Sequence, residues 1–110
     1  MNIYLYIYIY MNCNLLNFSK KCENQLNKQI QLEYWASYQY HLISSYFDRS
    51  EVGLNNIADY FNKSSLEERE HADKLMKYQN LRGGSVILCG IDKINLDFID
   101  QKNNDLLQAF

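Results

Sequence analysis

Glu33, Glu68 and His71 stand where the surrounding apolar pattern asks for a core side chain. An unpaired carboxylate in such a place is costly, so it pairs, takes up a proton or binds a cation. Glu68-x-x-His71 sets a carboxylate and an imidazole side by side, because residues three apart are neighbours on a helix. Those two donor types together suit Fe(II) and Fe(III). The competing reading of the pair is a solvated i, i+3 contact with no ligand. Glu67 and Glu70 belong to an acidic run and read as a solvated face, and His41 reads as a surface histidine. Tyr34, Trp35, Tyr38 and Tyr46 read as packing or subunit contacts.

Two long helices have to position these residues. From Asn17 to Phe47 the seam Leu26, Ile30, Glu33, Ser37, Tyr40, Ser44, Phe47 advances by alternating steps of 4 and 3, the spacing of one helix face. Asp48, Arg49 and Ser50 break the run. Ser50 is expected to cap the next helix and Glu51 to begin it with favourable charge. The second seam is Leu54, Ile57, Phe61, Ser64, Glu68, His71, Leu75. It is expected to stop at Gly83-Gly84 with a left-handed cap. A connection of about three residues makes the pair an antiparallel hairpin, each helix being roughly 40 Å long. With the turn centred between Arg49 and Ser50, Glu33 and Glu68 lie about 3 Å from direct opposition along the axis. Glu33 is therefore expected to face Glu68 and His71. Tyr40, two turns along the same stripe, reaches into the same space. An ExxH pair with a facing Glu is the ligand pattern of di-iron carboxylate bundles.

The rest of the chain bounds the reading. Its 110 residues allow one small domain, and 47% apolar residues with no Pro favour uninterrupted helices and an all-α fold. Two helices cannot bury both apolar stripes against each other alone, so the pattern asks for further helices. Ser85 to Leu88 reads as a short extended segment, and Asn104 to Phe110 as the first turns of a third helix. The opening MNIYLYIYIY alternates as a strand would, lacks the features of a secretory signal, and reads as a start outside the main fold. A net charge of −2 builds no basic surface for nucleic acid. No apolar run reaches the roughly 18 residues of a membrane span. Three Cys without CxxC spacing argue against a disulfide scaffold or zinc ribbon and for a reducing compartment; a cytoplasmic location is expected.

The stretch from about Asn17 to Leu88, with YFDR at 46–49, EEREHA at 67–72 and RGG at 82–84, resembles the first two long helices of an animal ferritin of the heavy, ferroxidase-bearing type. The resemblance implies a ferritin-like four-helix bundle, here reduced to the antiparallel hairpin and a short remnant of a third helix. Residues 1–16 would be an atypical extension and 17–110 a partial diiron domain. It implies that Glu33 is the first-helix iron ligand, Glu68 the carboxylate bridging two irons, and His71 the imidazole ligand of the first. Tyr40 matches a tyrosine hydrogen-bonded beside the site. Glu67 and Glu70 match carboxylates that pass iron to the cavity. In the family Fe(II) is oxidised by O2 and stored as Fe(III) oxyhydroxide within 24 subunits, so iron is the implied cargo and other ferritin subunits are the implied partners. Val86-Ile87-Leu88 resembles a segment that pairs across the subunit dimer. The family's third and fourth helices supply a further Glu and a Gln, which would lie beyond Phe110, and a truncated product is expected. Two functions follow: an iron-storage ferroxidase subunit that needs those ligands from elsewhere, or a catalytically inactive fragment that acts as an assembly partner. An unrelated hairpin with an accidental ExxH is the third reading.

Overall fold

The computed structural model describes residues 18–96, which form an all-α hairpin of α1 (Lys20–Phe47) and α2 (Asn55–Leu81). The first helix starts where a cap is available: the Ser19 hydroxyl accepts from the Cys22 amide at 3.2 Å. The second stops where Arg82 gives way to Gly83 at φ +82°. There Gly84 N–H donates to the Gln79 carbonyl and Gly83 N–H to that of Asn80, which satisfies two carbonyls the helix end would otherwise leave free. A side chain at Gly84 would also collide, since a Cβ there would lie 2.5 Å from Gln79 Oε1 and 2.8 Å from Phe18 Cε1.

The connection is longer than expected. Ser50 does not cap α2, and Glu51 does not begin it. The Gly53 and Val52 amides both donate to the Arg49 carbonyl, making one helical turn that Gly53 ends at φ +62°. The chain then needs Leu54 to re-enter, its N–H reaching back to the Phe47 carbonyl at 3.0 Å. The centre of the hairpin thus moves to Glu51. Ser37 opposes Ser65 and Ser44 opposes Ala58 about that centre, so the expected two-residue offset between Glu33 and Glu68 shrinks to one.

The buried stripe of α1 follows the expected seam. On α2 the buried residues are Ala58, Phe61, Ser65, Glu68, Ala72, Leu75 and Gln79. Ser64 and His71 are displaced from the centre of the interface by Ser65 and Ala72, one residue along, and Leu54 is exposed. Small side chains win these positions because they let the helices approach. Ser37 and Ser65 exchange hydroxyl–carbonyl bonds of 2.8 and 2.7 Å, and Ser44 donates to the Ala58 carbonyl at 2.7 Å.

Two apolar clusters hold the hairpin. Cys22, Leu26, Ile30 and Leu75 pack near the open end, supported by Phe18, Tyr34, Met76 and Tyr78. Ile43, Tyr46, Phe47, Ala58 and Phe61 pack near the turn. Each fully buried Leu, Ile or Phe contributes about 1.5–3 kcal/mol. Between the clusters lies a polar stretch, and the carboxylates are in it. Beyond Gly84 the chain runs back along α1 without a ladder partner among the described residues. Ser85 N–H donates to Glu23, Asn27 bonds Ser85 and Ile87, and Gln31 donates to the Gly90 carbonyl, so the expected extended course of this segment is present. The expected third helix and the N-terminal extension lie outside the described residues. No described helix is long and apolar enough to cross a membrane.

Candidate metal centre

Glu33 comes from the middle of α1, and Glu68 and His71 from the middle of α2. One ligand atom from each lies within 4.8 Å of the other two. His71 Nδ1 is 3.5 Å from Glu68 Oε2 and 3.6 Å from Glu33 Oε2. Ligand atoms held at about 2.1 Å around one tetrahedral ion sit about 3.4 Å apart, so these separations suit a shared cation. Glu33 is 1% exposed and Glu68 7%, whereas His71 lies half-buried at the rim. The rim position follows from Ala72 taking the centre of the interface.

Electrostatics single out Glu33. Burial, together with a hydrogen bond to the Glu68 carboxylate, pushes its carboxyl up to about 8. Burial acts upward on Glu68 too. Its carboxyl nevertheless lies below the usual range, the bond from Glu33 being the strongest of the downward pulls. The pair therefore shares one proton near neutral pH. Glu33 Oε1 accepts from the Gln29 amide at 2.8 Å, while no N–H or hydroxyl among the described residues donates to buried Glu33 Oε2. A buried carboxylate oxygen without a donor, facing a second carboxylate and an imidazole, is a fit for a cation that replaces the shared proton.

The remaining candidates are placed as follows. Tyr40 is half-buried and stacks on Phe61 with centroids 6.0 Å apart. Burial and the charge of Glu68 both raise its phenol, which puts it within electrostatic reach of the centre. Glu67 and Glu70 are exposed on α2 and lie outside the three-residue group. His41 is exposed, as expected; Cys22 is buried and Cys89 exposed. Gln29 is the residue that pattern reading missed. Its only signal is its place one turn before Glu33, a spacing that allows an amide–carboxylate bond on one helix face.

An antiparallel helical hairpin with a carboxylate from one helix and ExxH from the other is half of the ligand pattern that carboxylate-metal bundles use. The Ferritin-like domain family matches residues 23–110, and the chain belongs to that family. It is 50% identical over 93 residues to a chloroplastic ferritin of Malus baccata var. xiaojinensis and 50% identical over 93 residues to chloroplastic ferritin-1 of Pisum sativum. Each match covers 84% of this chain and 37% of the relative. Chloroplastic ferritin-4 of Arabidopsis thaliana is 54% identical over 74 residues, 67% of this chain and 29% of its own. The chain thus spans little more than a third of the length of the curated relatives it matches.

These relatives, each named a chloroplastic ferritin, overturn the expected cytoplasmic location. The expectation rested on the number and spacing of the cysteines and the lack of a secretory signal, and neither feature separates one reducing compartment from another. The relatives named are also plant ferritins, where the motifs had suggested the animal branch.

Proposed function

We propose that this chain takes part in iron storage and binds iron through Glu33, Glu68 and His71. The observation that carries the reading is the convergence of Glu33 Oε2, Glu68 Oε2 and His71 Nδ1 in a buried polar gap between two apolar clusters. Three donors on one ion leave coordination positions open, and open coordination means modest affinity. Oxidation by O2 in one two-electron step needs two ions side by side, each giving one electron. The described residues supply one ligand set, so efficient ferroxidase activity belongs to a bundle completed by further ligands, with Tyr40 beside the centre and Glu67 and Glu70 on the outward path. Anaerobic Fe(II) titration should find one site per chain, lost in Glu68→Ala and in His71→Ala. Two tight sites, or binding unaffected by both substitutions, would contradict it.

The second reading, an assembly partner without turnover, has its own support. Leu32, Trp35 and Tyr38 on α1, at 53%, 41% and 59% exposure, and Ile87 and Leu88 on the returning segment present apolar surface to solvent. Ferritin subunits are the partners this surface fits by family. Both readings share that association, and Fe(II)-dependent O2 uptake separates them.

A further inference from the structure

We infer that Gln29 is a positioning residue: it holds Glu33 by one oxygen so that the other is presented to the metal. The inference rests on the iron-binding reading above and adds a residue that acts through a ligand without touching the ion.

Glu33 is buried, and so is Gln29 one turn earlier on α1. The Gln29 amide nitrogen donates to Glu33 Oε1 at 2.8 Å. That bond fixes a side chain that otherwise turns about three torsions, and it decides which oxygen is free. The other, Oε2, is 3.6 Å from His71 Nδ1 and meets no N–H or hydroxyl donor among the described residues. With its nitrogen aimed at Glu33, Gln29 Oε1 is buried and likewise meets no donor among the described residues. Turning the amide over would set two acceptor oxygens against each other. A buried acceptor left without a donor is uncommon, and here two of them flank one hydrogen bond. A core chosen for packing alone would carry an apolar residue at position 29. The arrangement is accounted for if the Gln29–Glu33 bond serves the ligand geometry. Partners one step out from a metal typically contribute 10–100-fold to its affinity.

The test uses the full 110-residue chain with Co(II), whose ligand-field spectrum reports the donors around the ion. Gln29→Met keeps the volume and removes the donor. We expect Co(II) to bind about 10–100-fold more weakly to it, with a spectrum shifted toward that of Glu33→Ala. In a Glu33→Ala background the same Gln29→Met change should cost nothing further, because the residue acts only through Glu33. A merely structural role would weaken binding equally in both backgrounds, and that result overturns the inference. Unchanged affinity and spectrum in Gln29→Met, with wild-type binding intact and Glu68→Ala abolishing it, overturns the inference and leaves the iron site standing. A wild-type chain that binds no Co(II) and no Fe(II) overturns both. The helical circular dichroism of each variant without metal identifies any that has not folded, and Gln29→Leu then replaces Gln29→Met in the cycle.

Discussion

Glu33 holds its proton in the folded chain up to about pH 8, against 4.5 for an ordinary glutamate. Between those values the folded state binds a proton that the unfolded state has released. Stability of the metal-free chain should therefore fall as pH rises through that window. Urea unfolding followed by circular dichroism should give a lower midpoint at about pH 8 than at about pH 5. Glu33→Gln should flatten that slope, stabilise the metal-free chain by about 1–3 kcal/mol at the upper end, and weaken metal binding. An unchanged slope in Glu33→Gln would place the titration elsewhere. The proton and the cation compete for the same oxygens, so affinity should rise over the same pH range. Glu33, Glu68 and His71 were legible as residues out of place in an apolar seam. Gln29 was not, because a glutamine one turn from a glutamate is unremarkable until both are seen to be buried.

At the scale of the helices, the ends and the turn govern the register on which the site depends. Gly83 ends α2 in a left-handed conformation. Gly83→Ala should cost about 1–2 kcal/mol, read as a lower urea midpoint, with metal stoichiometry unchanged. Ser65→Leu is a sharper probe. Its extra carbons would break the mutual bonds with Ser37 and force the helices apart one turn from Glu68. It should cost about 1–3 kcal/mol and weaken metal binding, whereas Leu66→Ala on the exposed face should do neither. The lengths of both helices and the Gly-Gly stop were readable from periodicity and cap chemistry. The turn was misread because Ser50-Glu51 has the composition of a helix start. Only the bonds to the Arg49 carbonyl and the positive φ of Gly53 show that this start is cut short.

For the molecule as a whole, the hairpin leaves Leu32, Trp35, Tyr38, Ile87 and Leu88 in water. Sedimentation velocity should find the chain associated with itself or with a complete ferritin. A monomer with a sharp cooperative melt would contradict this. Under the proposed reading, turnover belongs to the same scale, since it would need ligands beyond those the described hairpin supplies. Stopped-flow mixing at two Fe(II) per chain should show oxidation little faster than iron in buffer. Rapid oxidation abolished by Glu33→Ala would mean that another segment or chain completes the centre.

Periodicity by itself determined that two long helices exist, which face of α1 is buried, and that two carboxylates and an imidazole share the interface. These follow from local rules, the 3.6-residue repeat and the cost of burying charge. The motifs alone also identified the family. What needed three dimensions was every choice between adjacent residues. Ser65 over Ser64, and Ala72 over His71, are decided by how closely two backbones approach, which no repeat of hydrophobicity records. That same approach puts His71 at the rim and brings its nitrogen to both carboxylates, gathering the three donors that the proposed metal site would use.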